Sequence, residues 1–571
     1  MPRTSPPISV QLKRVVPSRW DCLALVLVLL GLLFLAETSR QLLQPLSGLQ
    51  ATPLSLDPSD LPMYAARTTL RMLAAMAFSL LFTFTFATWA AKSARAERIL
   101  IPMLDILQSV PILGFISVTV VFFMALAPGR VLGAEFAAIF AIFTSQAWNM
   151  AFSFYQSLRT VPHELTEAAR CFQLSPWMRF WRLEVPFAMP GLVWNMMMSM
   201  SGGWFFVVAS ESISVGSTAV TLPGVGSYIA LAIAHQDFNA IGWAIVAMAA
   251  VILTYDQLLF RPLVAWSDRF RSDQERHTPP PRSWVLTVLR RSRIVRNLRR
   301  ALHKHGPRIS VARPRVLEVR GLPLRLQDTA WTGIAAALAL LLIWYVIHVV
   351  RSELAWQDVF GVVALGLVTM VRVFVLIALA TLVWVPVGVW IGLRPRAAQI
   401  SQPIAQFLAA FPANLMFPIA VSAIVAWHLN ADVWLSPLMI LGTQWYILFN
   451  VIAGATTLPR DMQDAAANLQ VTGWLWWRRV ALPAVLPYYV TGAITASGGS
   501  WNAAIVAEAV SWGPTHLSAH GIGSYIAQAT SDGDFHRIVL GIAIMAGFVV
   551  LLNRVFWRPM YHYVERRCRL D

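Results

Sequence analysis

Charge is scarce in this chain, and lysine is nearly missing. Asp, Glu, Lys and Arg make up 13% of its 571 residues, against 57% apolar side chains. An ordinary soluble domain carries about 25% charge, so that class is excluded. The three lysines, Lys13, Lys92 and Lys304, end no Gly-rich phosphate loop of the G-x-x-x-x-G-K-[ST] kind, which excludes nucleotide binding by that device. Cysteine is limited to Cys22, Cys171 and Cys568, with no metal-ligand spacing and too few thiols for a disulfide framework. These read as reduced, structural residues. The eleven histidines are scattered, and His303 and His305 read as solvated. No metal-binding or catalytic constellation emerges.

What the chain does have is long apolar runs. A hydrocarbon layer of ~30 Å takes about twenty helical residues to cross. Runs of that length lie at 21–37, 65–91, 100–126, 133–156, 184–210 and 238–260, then at 329–350, 360–393, 400–427, 432–454, 484–508 and 536–557. They are continuously apolar and lack the alternation of a lipid-facing strand. The expected fold is an all-α membrane protein of about 12 transmembrane helices. Residues 1–20, with Lys13, Arg14 and Arg19 ahead of an apolar run, resemble a signal peptide. The matching run at 329–350 cannot be one, so 21–37 reads as an uncleaved first span.

Arginine orients these spans. Most basic residues fall around 92–98, 159–182, 261–325, 394–396, 460–479 and 558–569, and the alternate loops hold only Arg40, Arg130 and Arg351 against Asp57, Asp60, Glu353, Asp432, Asp532 and Asp534. The positive-inside rule places both termini and those segments in the cytoplasm. That bias accounts for the net charge of +17, so a nucleic-acid partner is not needed to explain a pI near 10.6.

The second half repeats the first. Thr160-Val161-Pro162, Glu167-Ala168-Ala169 and Pro186 recur 297 residues later as Thr457-Leu458-Pro459, Asp464-Ala465-Ala466 and Pro483. The register persists through Trp177/Trp474, Trp204/Trp501, Glu211/Glu508, Gly224/Gly521, Tyr228/Tyr525 and Asp237/Asp534. A constant offset over so many positions marks a tandem duplication. Six spans per half is an even number, so the repeats run parallel, related by a pseudo-two-fold axis along the membrane normal. The expected units are 1–263, a basic linker 264–328, and 329–571. From 261 to 328 there are 17 Arg and Lys against 5 Asp and Glu, which suits a tether on anionic lipid with an interfacial helix over 283–303.

The repeated motif reads as a short helix lying flat on the cytoplasmic surface. Pro162 and Pro459 suit its first turn, and Glu164, Glu167, Asp461 and Asp464 follow where the helix dipole favours negative charge. The alanine pairs would let another surface approach closely. Residues alone leave an amphipathic connector and a docking site both open; repetition on one face favours two docking sites.

With those residues in view, the chain resembles the permease subunits of bacterial ABC importers, whose cytoplasmic signature is E-A-A, three residues, Gly, nine residues, then I-x-L-P. Glu167-Ala168-Ala169 with Leu183-Glu184-Val185-Pro186, and Asp464-Ala465-Ala466 with Val480-Ala481-Leu482-Pro483, fill it. Within that class it is most similar to the nitrate/sulfonate/taurine/bicarbonate group, through Glu211 and Glu508, the Gly-x-Gly-Ser-Tyr-Ile-Ala segments at 224–230 and 521–527, and the Arg-Pro exits at 261–262 and 558–559. The resemblance implies that each acid-Ala-Ala helix seats in a groove of a separate ATP-binding subunit. One chain would then serve two ATPase subunits, with ATP and Mg bound by those partners and no cofactor in the chain itself. It also implies an extracytoplasmic solute-binding protein, location in the bacterial inner membrane, and a small solute, an anion if the subgroup holds. The chain departs from the signature at its glycine: Gln173 and Gln470 stand there. Glutamine enters a left-handed turn only at a cost, so a more continuous helix is expected there.

Pathway candidates lie on the fifth spans, which follow the docking loops directly: Ser201, Trp204 and Glu211 in the first half, Ser497, Trp501, Asn502 and Glu508 in the second. The small residues around them equally suit close helix packing. Asn502, deep in a span, needs a partner or a wet cavity. Glu211 and Glu508 read either as an outer gate or as interfacial acids bonded to backbone. Arg71 and Arg372, in the outer part of the second spans, are expected to snorkel to the headgroups, with anion attraction at the outer mouth as the sharper alternative. Two competing functions stand beside the importer: an ATPase-independent transporter or channel, and an ABC exporter.

Overall fold

The computed structural model describes residues 54–215, 218–270, 283–292 and 355–568, with a few isolated positions between 333 and 348. The expected span 21–37, nearly all of 329–350 and most of the linker lie outside the described residues.

The first half comprises α1 (Leu61–Phe82, running on as helix to Lys92), α2 (Ala94–Ser109), α3 (Ile112–Leu126), α4 (Val131–Arg159), α5 (His163–Cys171), α6 (Val185–Glu211), α7 (Val225–Ala234) and α8 (Phe238–Tyr255). In the linker, α9 spans Trp284–Arg291. The second half follows with α10 (Trp356–Gly392), α11 (Pro395–Ala410), α12 (Phe417–Ala426), α13 (Gln444–Thr456), α14 (Arg460–Asn468), α15 (Leu482–Ala507), α16 (Ile522–Asp532) and α17 (Phe535–Leu552). Seven helices among the described residues are long and apolar enough to cross a membrane, and nine if each bent pair is counted as one span.

The expected single third span is broken in both halves. Val110 and Phe411, each preceding a proline, take extended ψ values of 126° and 128°, because the following ring disfavours helical geometry. The α11 and α12 segments consequently meet at 78°. The fourth span is continuous in the first half, whereas in the second it bends by 45° between Leu441 and Gln444, where Gly442 stands. Two short hairpins also depart from a purely helical chain: β1 (Ser212–Val215) with β2 (Thr218–Thr221), and β3 (Ala509–Trp512) with β4 (Thr515–Ser518). Each follows a fifth helix directly.

The core is built on the fifth helices. α6 packs along α4 and α15 along α13. Glycines permit the approach: a Cβ on Gly203 would stand 2.8 Å from Gln146 and one on Gly492 2.7 Å from the Tyr446 carbonyl. Each fifth helix also meets the broken third span of the opposite half, α6 against α11 and α15 against α3. The halves therefore interlock across a shared centre.

Candidate functional site: paired surface helices and buried ion clusters

The acid-Ala-Ala segments form α5 and α14, nine residues each. Pro162 and Pro459 stand one place before the first helical residue, as N-caps, and Glu164 and Asp461 fall in the first turn. Glu167 and Asp464 are exposed, as are Ala168 and Ala465. Ala169 and Ala466 turn inward and are buried, the latter among Leu458, Val480 and Ala484. Each helix thus presents one small residue outward and uses the next to seat on the bundle. His163 Nδ1 lies 3.1 Å from Glu167 Oε1.

The continuous helix expected at the glutamines is not formed. Gln173 and Gln470 have φ of +51° and +53°, in the left-handed region. Around them the hydrogen bonds close as a Schellman stop: Leu174 N–H donates to the Ala169 carbonyl and Gln173 N–H to Arg170, repeated by Val471 to Ala466 and Gln470 to Ala467. The helix ends where the signature glycine would end it, and glutamine bears about 1 kcal/mol of strain to do so. Just before each stop, Phe172 and Leu469 project 79% and 76% exposed. Trp177 and Trp474 are exposed as well, so each surface helix ends on an exposed apolar residue.

At the opposite ends of the fifth helices lie two ion clusters, the first buried and the second open on one side. Glu211 accepts hydrogen bonds from Thr68 Oγ1, Arg71 Nη1 and the Gly226 N–H, each at 2.6 Å. Arg71 grips Glu135 with Nε and Nη2 at 2.6 Å. Arg71 is 3% exposed and Glu211 0%, so the expected snorkelling to the headgroups does not occur. The cation stays inside because two carboxylates are there to neutralise it. In the second half, Glu508 accepts from Thr369 Oγ1 at 2.9 Å, Arg372 Nη1 at 3.2 Å and Gly523 N–H at 2.8 Å. Arg372 Nη2 donates to Asp432 at 2.9 Å, and His520 donates its N–H to the same carboxylate at 2.6 Å. Arg372 likewise turns inward instead of reaching for headgroups.

These clusters explain the Gly-x-Gly-Ser segments. A Cβ on Gly224 would lie 2.3 Å from the Glu211 carboxylate, and one on Gly226 2.2 Å from the Val208 carbonyl; Gly521 and Gly523 face Glu508 and Ala504 in the same way. The acids sit at the N-termini of α7 and α16, where backbone N–H groups and the helix dipole favour a negative charge. Thr68/Thr369 and Glu135/Asp432 were missed from the sequence. A signal existed, since the first pair shares the 301-residue offset of Arg71/Arg372 and the second keeps the 297 offset.

The remaining candidates divide. Ser201 and Trp204 line a cavity of about 460 Å³ with Met197, Tyr255, Gln406 and Phe407, between α6, α8 and α11 of the other half. Trp204 is buried edge-on to Tyr255, and Trp501 stacks on Phe548. Ser497 is buried. Asn502 finds its partner across the halves: its Oδ1 accepts from the Ile112 N–H at 2.6 Å. Asn414 makes the reciprocal crossing, donating to the Phe205 carbonyl at 3.3 Å.

Two like-oriented helical repeats, each with a surface helix leading into its central span, define a duplicated multi-pass membrane protein. Residues 83–269 and 384–570 each match the family described as binding-protein-dependent transport system inner membrane component; the chain belongs to that family and carries its domain twice. It is 31% identical over 181 residues to the bicarbonate transport system permease protein CmpB of Synechococcus elongatus, covering 32% of this chain and 62% of the relative. The nitrate import permease protein NrtB of Leptolyngbya laminosa is 29% identical over 182 residues, 32% of this chain and 62% of its own length. The glycine betaine/carnitine transport permease protein GbuB of Listeria monocytogenes is 30% identical over 175 residues, covering 30% and 55%. The chain thus spans less than two thirds of the length of each of these relatives.

Proposed function

We propose that this chain is the membrane-spanning subunit of an ATP-driven importer, moving a small solute into the cytoplasm with both permease repeats on one polypeptide. Units 1–263 and 329–571 form the two halves, and 264–328 tethers them at the cytoplasmic face of the inner membrane. The observation that carries the reading is the matched pair α5 and α14. Each exposes an acid, an alanine and an apolar knob, ends in the same left-handed stop, and leads within a short run into a fifth helix. Two separate ATPase subunits seat on them, bind ATP and Mg, and pull on α6 and α15 as they close. The chain hydrolyses nothing itself. An extracytoplasmic binding protein delivers the solute at the opposite face. The names of the bicarbonate and nitrate relatives favour an anion.

Copurification from native membranes tests this directly. Two ATPase copies per chain are expected, and Glu167→Arg combined with Asp464→Arg is expected to release them. ATPase binding that survives both substitutions would remove α5 and α14 as docking sites. A complex that turns over without any binding protein would favour an exporter.

A further inference from the structure

On the face opposite α5 and α14, the turn of the β3–β4 hairpin crosses from the second half onto the first. Gly513 N–H donates to the Ile233 carbonyl at 3.1 Å, and Gln236 Nε2 donates to the Trp512 carbonyl at 3.4 Å. The Trp512 ring lies 4.6 Å from that of Phe238 and is 6% exposed. A Cβ on Gly513 would stand 2.6 Å from Gln236 Nε2, and Gly513 has φ +56°, so the turn is shaped to fit that amide.

The backbone of Gln236 carries a second sign. It lies at φ +56°, in the left-handed region, closing α7. The position 297 residues later is Gly533, at φ +72°, which is the residue such a stop favours. The first half therefore keeps a strained residue where the second half has an unstrained one. What glutamine adds and glycine cannot is the amide that reaches the hairpin, and strain retained for a contact points to function. The aligned sequences differ here too: Trp512-Gly513-Pro514 corresponds, at the 297 offset, to Val215-Gly216-Ser217.

We propose that Trp512, seated on Phe238 and pinned by Gln236, is the gate residue at the outer end of the pathway. The inference rests on the importer reading above. The hairpin begins one residue after Glu508, and α15 begins within fifteen residues of α14, so one lever runs from docking helix to latch. ATPase closure at one end then releases Trp512 at the other, and the outer ends of the halves part to admit solute.

The test uses the full complex with its ATPase subunits in nanodiscs, with Cys22, Cys171 and Cys568 replaced by serine. Two pairs are introduced separately, Gln236→Cys with Gly513→Cys and Phe238→Cys with Trp512→Cys, then oxidised and read by mass spectrometry of the linked peptides. Linking is expected in the nucleotide-free complex and should fall about fivefold or more once ATP and orthovanadate trap the ATPases closed. Equal linking in both states would make the hairpin a static strut and overturn the gate. So would failure of both pairs to link in either state. Trp512→Ala should raise ATP hydrolysis without binding protein severalfold, and Trp512→Phe should restore the low basal rate; unchanged hydrolysis in the alanine variant also counts against the proposal. Trapping is verified by loss of hydrolysis. A chain that links at rest but recruits no ATPase would instead defeat the importer reading.

Discussion

Arg71 Nη1 stands 2.6 Å from Glu211 Oε1, with 3% and 0% of the two side chains exposed. The same guanidinium holds Glu135, so one cation ties α1, α4 and α6 together. Arg372 repeats the arrangement more loosely, 3.2 Å from Glu508, and its second partner Asp432 is 36% exposed.

That difference sets a ranking. Removing one member of a buried ion pair strands an uncompensated charge and costs about 3–5 kcal/mol. Arg71→Ala would strand two enclosed carboxylates, Glu135 and Glu211. Arg372→Ala strands one, because Asp432 reaches solvent and retains His520. Thermal unfolding in detergent, followed by size-exclusion chromatography, should show a larger loss of monodisperse protein for Arg71→Ala. Equal losses would contradict the geometry.

The glutamine stops of α5 and α14 make a second prediction. Glycine relieves the left-handed strain at a cost in unfolded-state entropy, so Gln173→Gly and Gln470→Gly should be neutral to stabilising by up to about 1 kcal/mol. A β-branched residue has no such tolerance, and Gln173→Val should fray the stop. Hydrogen exchange at the Leu174 and Val471 amides, which close the two motifs, reads this directly. Faster exchange in the glycine variants would refute it.

Glycines of the ion clusters should be far less forgiving. At Gly224 an added methyl would meet the Glu211 carboxylate at 2.3 Å, while at Gly242 nothing lies within 4 Å. Gly224→Ala is therefore expected to disperse the cluster and lower the melting temperature by several degrees. The helix-favouring Gly242→Ala should leave it unchanged or raise it slightly. Matched melting temperatures for the two would mean the cluster tolerates displacement.

Much of this architecture was readable because duplication doubles every signal. The apolar runs, the shared 297 register and the position of α5 and α14 all stand in the sequence. Local competition hid the rest. Pro111 and Pro412 lie inside long apolar stretches, and length outweighed the restriction each proline places on its predecessor. Arg71 looked lipid-facing because its partners Glu135 and Glu211 come from other spans, and single-span reasoning prices an arginine without its counter-ions. Gln173 and Gln470 were read from intrinsic preference, which tertiary seating of Ala169 and Ala466 overrode. The hairpins are four residues per strand, too short for alternation to register.

The final prediction concerns the seam between halves. Asn502 accepts from the Ile112 N–H at 2.6 Å and donates to the Gly498 carbonyl at 3.2 Å. Ile112 opens α3 behind Pro111, so its N–H is one of the donors that a helix start leaves without an internal partner. Asn502→Ala removes the acceptor of that donor at a part-buried position, a loss of about 1 kcal/mol. Asn502→Asp keeps an acceptor on the same atom but introduces a charge with no cation beside it among the described contacts. Asn502→Ala is thus expected to loosen α3 against α15 while the halves stay folded, which hydrogen exchange at Ile112 and its neighbours would register as selective deprotection. Exchange that rises equally throughout α15 would show that the side chain stabilises its own helix and does not join the halves.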